Sequence, residues 1–210
     1  MDTMAIPSNV DIQGDAIIRG ALLPPRTRSE IQQDNNAVYD IPFSEWKIFD
    51  AFATDLAATA LSDDDLALVG GVHGTDAPSI QTLDVKNVTK TRKARATFTL
   101  PPEYVAGESV TLRFSAGMKT TVASVSATLD VEVFKSAKNT LKTGTDLYTG
   151  AAVTINSLVF ADKDFSLVVT TLSPGDVIDI LVIIATNDSA TATAVIGCLG
   201  STQVLCDIKG

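Results

Sequence analysis

The sequence predicts a mainly β protein: an antiparallel β-sandwich of jelly-roll type with about eight strands, preceded by an extended N-terminal arm and a short helical segment. Three observations predict it. Val110, Leu112, Phe114 and Ala116 alternate with Thr111, Arg113 and Ser115, and Leu129, Val131 and Val133 alternate with Asp130 and Glu132. This is the period-two signature of strands with one buried face. Turn signals recur between such runs, at Pro101-Pro102, Ala106-Gly107, Gly144, Gly150, Ser173-Pro174-Gly175, Asn187-Asp188 and Gly200-Ser201. Helical patterns do not alternate with the strands, which argues against a parallel βαβ sheet.

Residues 1–41 form the first zone. Val10, Ile12, Ile17 and Ile18 sit around Gly14 and Gly20, and Pro24-Pro25 forbids helix. The zone has too few large apolar residues for a core of its own. It reads as an extended arm with one or two short strands, packing on its own body or on a neighbouring subunit. Strand addition through backbone hydrogen bonds needs no special side chains, so Val10, Ile12, Ile17, Ile18, Leu22 and Leu23 are expected to contact another chain.

Residues 42–78 form a helical and loop connector. Ser44 is placed to cap a helix starting at Glu45, and Trp46, Phe49, Phe52, Ala53 and Leu56 recur at three- and four-residue spacing. Ser62-Asp63-Asp64-Asp65 matches a capping box ahead of Leu66-Ala67-Leu68-Val69. A loop marked by Gly70-Gly71, Gly74 and Pro78 follows. Residues 79–210 carry the sandwich. Phe165 to Thr171 and Val177 to Ala185 are apolar on both faces, as central strands are, and Thr191 to Leu199 and Gln203 to Ile208 close the chain. No internal repeat or low-complexity tract appears.

Composition narrows the function. At 210 residues, 45% hydrophobic and 20% charged, the chain is a folded protein with room for a sizeable core. Its net charge of -9 argues against nucleic acid as a partner. The N-terminus lacks the basic and apolar stretches of a signal peptide, and the most apolar run, Val177 to Ala185, is under half a membrane span, so no membrane partner is expected. The Asn-x-Ser/Thr patterns at Asn87 and Asn187 therefore carry little meaning. Cys198 and Cys206 read as buried free thiols, with a disulfide possible if their strands pair.

No catalytic or metal constellation emerges, and no cofactor is expected. The single histidine, His73, lies in a glycine-rich loop with no nucleophile elbow nearby in sequence. One histidine and two cysteines cannot build a zinc site without carboxylates. Asp63, Asp64 and Asp65 are consecutive, unlike the alternating ligands of a calcium loop. Asp130 and Glu132 share the wet face of a strand, and Asp176 and Asp179 flank a turn. The basic stretch Lys86 to Arg95 reads as a surface strand with its cations on the solvent face. The functional alternative makes Lys90, Arg92, Lys93 and Arg95 an electrostatic contact with an acidic neighbour.

Four phrases stand out: Leu56-Ala-Ala-Thr-Ala-Leu-Ser-Asp-Asp-Asp-Leu-Ala-Leu68, Leu100-Pro-Pro-Glu-Tyr-Val-Ala-Gly-Glu108, Leu172-Ser-Pro-Gly-Asp176 and Val204-Leu-Cys-Asp-Ile-Lys-Gly210. Together they resemble virion structural proteins of tailed bacteriophages. The resemblance spans residues 40–210. It implies a jelly-roll protein of the capsid cement (decoration) or head-fibre type, on the capsid surface, made in the host cytoplasm. Its implied partners are the major capsid protein and copies of itself, as a homotrimer. The alternatives are a head-fibre, spike or receptor-binding module that takes a surface glycan, and a glycan-active enzyme.

Overall fold

The computed structural model describes residues 17–18, 21–22, 35–59, 62–123, 125–136, 141–189 and 192–209. Val10, Ile12 and Leu23 lie outside them. The first two strands, β1 (Ile17–Ile18) and β2 (Ala21–Leu22), form a two-stranded antiparallel sheet of their own. The remaining strands are β3 (Asn35–Asp40), β4 (Ala67–Val69), β5 (Ser79–Gln81), β6 (Val88–Thr99), β7 (Val110–Met118), β8 (Ser126–Ser136), β9 (Lys142–Thr143), β10 (Val153–Thr154), β11 (Ala161–Ser166), β12 (Val177–Asp188) and β13 (Gly197–Ile208).

They build two antiparallel sheets. One runs β11-β7-β13-β5-β4, with β3 also on β13; the other runs β10-β8-β12-β6, with β9 also on β8. Along the chain, β5, β7, β11 and β13 belong to the first sheet, and β6, β8, β10 and β12 to the second. The resulting orders, β5-β13-β7-β11 and β6-β12-β8-β10, are those of an eight-stranded jelly roll.

The alternation seen in the sequence sets the core. Leu112, Phe114 and Ala116 of β7 and Leu199, Val204 and Cys206 of β13 face Ala94 and Ala96 of β6, Leu129, Val131 and Val133 of β8, and Ile178, Ile180, Val182 and Ile184 of β12. Each is buried, and full burial of a large apolar side chain stabilises by about 1.5–3 kcal/mol. An aromatic chain crosses the core: Trp46 to Phe114 at 6.4 Å, Phe114 to Phe165 at 5.6 Å and Phe165 to Tyr148 at 5.1 Å between ring centroids.

The expected helical segment does not form. Among the described residues of this segment only a 3-10 turn, Phe43–Glu45, is present, and Ser44 caps no helix. The connector is instead a strap along the free edge of β6. Lys47 exchanges backbone hydrogen bonds with Arg95 at 2.8 and 3.0 Å, and Lys93 bonds Asp64 and Leu66 at 2.7 and 2.9 Å. Backbone pairing with an otherwise open edge outweighs the helical spacing. Trp46 and Leu56 turn into the core, whereas Phe49 and Phe52 lie against Lys93 and Arg95. The capping-box segment closes a turn before β4: the Asp65 Oδ2 accepts the Ser62 N–H at 2.9 Å.

Two strand readings also shift. Residues 167–171 lie outside β11, which is an edge strand, not a central one. Gly200-Ser201, expected as a turn, is a bulge inside β13, where the register shifts between Leu199 and Thr202. Cys198 and Cys206 therefore share one strand, about 26 Å apart at the rise of a β-strand, too far to pair. Both are buried free thiols.

Burial pushes the Cys206 thiol up to about 11 from 9.0 and the Tyr104 phenol up to about 12 from 10.0. A proton that the fold holds more tightly than the unfolded chain favours the fold until pH passes the unfolded value. Stability is thus expected to fall as pH rises from 9.0 to about 11, and Cys206→Ala to flatten that fall. Urea midpoints across this range check it. An equally steep fall in the variant would contradict the assignment.

Candidate functional site

The loops β5–β6, β7–β8, β10–β11 and β12–β13 meet at one end of the sandwich, where a 3.0 Å backbone bond joins Val85 to Val195. Residues 155–160 of the β10–β11 loop are held from several sides. Ile155 donates to Ala127 O at 2.9 Å, Met118 donates to Ser157 O at 2.7 Å, and Val159 N donates to the Ser157 hydroxyl at 3.1 Å. The Asn156 amide accepts the Ala123 N–H at 2.7 Å and donates to its carbonyl at 3.2 Å.

This pinned loop displays Leu158, Val159 and Phe160 at 55%, 76% and 38% exposure. Val122 and Val125, on either side of Ala123, are exposed as well. One face of Phe160 lies on backbone: a Cβ added at Gly117 would sit 2.7 Å from its ring. Only glycine lets the ring seat there. The apolar end is thus pre-shaped, so little ordering entropy opposes its burial by a partner. In the sequence, three consecutive apolar residues do not by themselves distinguish an exposed loop from a buried one. The available signal was their lack of alternation immediately after Asn156-Ser157.

The basic residues of β6 do not form one wet face. Lys90 pairs with Asp63 at 2.5 Å. Arg92 points between the sheets, is 7% exposed, and leaves its Nε and Nη1 without hydrogen-bond partners. Lys93 and Arg95 alternate to the outer face. The Lys93 ammonium lies 4.9 Å from the Phe49 ring centre, and the Arg95 guanidinium lies at the same distance over Phe52. Arg95 also grips Asp179 through Nε at 2.6 Å and Nη2 at 2.5 Å. Lys142 approaches the same carboxylate at 3.3 Å. The solvent-face reading of the basic stretch therefore fails at Arg92, which the strand alternation turns inward. Ile17, Ile18 and Leu22 fall in the β1–β2 hairpin.

The remaining candidates are separated or structurally engaged. His73 is exposed in a turn. Asp176 accepts the Ser173 N–H at 2.8 Å and pairs with Lys135 at 2.6 Å. Asp130 and Glu132 lie on the outer face of β8, as their alternation requires. A cavity of about 230 Å³ at the opposite end is lined by Thr145, Asp146, Thr149, Thr170 and Thr171. Its Asp146 is engaged by the N–H groups of Val133 and Tyr148. Among the described residues, no three potential metal ligands cluster, and no helix is long and apolar enough to cross a membrane.

No family model matches the chain, and no curated protein matches it. Solved structures similar to it include an arabinose-bound MgGH51 α-L-arabinofuranosidase (TM-score 0.41, 11% identity), which covers 78% of this chain, while this chain covers 23% of the arabinofuranosidase. The non-crystalline-cellulose-specific carbohydrate-binding module CBM28 gives 0.41 at 9% identity, with 79% and 86% coverage. The VP2 subviral particle of infectious bursal disease virus gives 0.30 at 14% identity, with 69% and 38% coverage. These likenesses are loose, and the jelly-roll assignment rests on the strand order itself.

Proposed function

We propose that the chain is a non-catalytic structural protein of a tailed-phage particle, a capsid cement protein that docks on major capsid subunits and on copies of itself. The rigid apolar end formed by Leu158, Val159 and Phe160 carries this reading. A pinned loop that holds large apolar side chains in water gains nothing for the isolated fold. Covering the part of each side chain that is still exposed gains a fraction of a full burial, roughly 1 kcal/mol per side chain. An acidic chain of net charge -9 also remains soluble at high copy number before assembly. A homotrimer on the capsid surface is the arrangement proposed from the resemblance, with Ile17, Ile18 and Leu22 of the hairpin as a second grip.

Co-sedimentation with particles of the phage that encodes the chain tests this. The native chain is expected to pellet with particles lacking it. Val159→Asp, which would bury an unpaired carboxylate, is expected to bind at least tenfold more weakly. Equal binding by both, or by neither, would overturn the proposal.

A further inference from the structure

We propose that the outer face of the β6–β12–β8 sheet binds a neutral glycan chain lying along β12. Registered pairing arranges this face in rows: Arg95–Leu181–Glu132, then Lys93–Ile183–Asp130, then Thr91–Ala185–Thr128. The middle column, Leu181, Ile183 and Ala185, is a half-buried apolar floor. It runs for about 13 Å at the rise of a strand, and its polar flanks stand about 10 Å apart at the spacing of strands. Phe52 borders the floor on the β6 side and Phe134 on the β8 side, the latter in the row Thr97–Asp179–Phe134.

The chemistry of the face selects the occupant. Lys93, Arg95 and Lys142 balance Asp130, Glu132 and Asp179, so no net charge draws an ionic partner. Glu132 is exposed and forms no ion pair with a described residue. Asp130 accepts only the adjacent Val131 N–H, at 2.9 Å, among the described bonds. The Asp130 and Glu132 carboxylates on one flank, the Lys93 ammonium and Thr91 hydroxyl on the other and an apolar floor between them match a ring with one C–H face and a rim of hydroxyls. An extended peptide would seek an open strand edge, and the β6 edge beside this face is already occupied by Lys47, Asp64 and Leu66.

The inference is independent of the capsid reading. A chain that binds particles but no glycan removes only this one, and a glycan-binding chain absent from particles removes only the other. The test applies the full chain to a glycan array and titrates it with cello-oligosaccharides, manno-oligosaccharides and dextran. Binding to at least one neutral glycan is expected, weakened at least tenfold in Glu132→Ala and in Leu181→Lys. Val159→Asp, at the end of the sandwich, should bind as the native chain does. Thermal midpoints confirm that Glu132→Ala, at an exposed position, folds. A blank array together with blank titrations, or native-like binding by both face variants, would overturn the proposal.

Discussion

Replacing Trp46 with alanine is expected to cost about 3–5 kcal/mol, the range for removing a fully buried large aromatic side chain. Trp46 is 1% exposed, packs on Phe114, and donates its indole N–H to the Thr202 hydroxyl at 3.3 Å. That hydroxyl in turn donates to the Ile41 carbonyl at 2.7 Å, so one residue ties the strap, β13 and the chain leaving β3 together. The next residue, Lys47, makes the backbone bonds that cover the edge of β6. Losing the ring should therefore loosen the strap and expose an edge prone to self-association. Urea unfolding followed by circular dichroism measures the cost, since the chain has no second tryptophan to report it. A loss under about 1 kcal/mol would show that the ring does not anchor the strap, because even modest core truncations reach that size.

Asp179→Ala is expected to cost about 2–3 kcal/mol, less than the roughly 3–5 kcal/mol of a fully buried pair broken on one side. The carboxylate is buried and neutralises two cations, Arg95 and Lys142. Their side chains are 29% and 49% exposed, so water recovers part of the loss. The double replacement Asp179→Leu with Arg95→Met should be more stable than Asp179→Ala alone, since it leaves no stranded guanidinium. Denaturant midpoints for the single and double variants decide this. A double variant less stable than the single one would contradict the pairing.

The sandwich was legible where one face of a strand is wet. Val110 to Ala116 and Leu129 to Val133 alternate because β7 and β8 each have an inner and an outer face. Ser173-Pro174-Gly175 marks a real turn, with Gly175 at a φ of 75°. The strap was not legible. Trp46, Phe49, Phe52 and Leu56 have helical spacing, yet they serve two surfaces, the core and the cations of β6. Spacing along a chain carries no information about a β-edge that needs covering. Gly200-Ser201 misled for a related reason: a bulge and a turn use the same residue types, and only the partner strand distinguishes them. Arg92 shows the limit of reading charge as exposure, since its place in the alternation sets its direction. The candidate surfaces were half legible. The outward positions of Asp130 and Glu132 followed from alternation, but their alignment with Arg95 and Lys93 across β12 depends on long-range register.

In the proposed cement role, the chain buries its apolar end against neighbours on a particle. A density map of purified particles of the proposed phage, sharp enough to trace jelly-roll strands, tests this most directly. It should show the chain in closed rings on the outside of the shell, with Leu158, Val159 and Phe160 buried at a contact. Particles without the chain, or a chain whose Leu158–Phe160 end points freely into solvent, would contradict it.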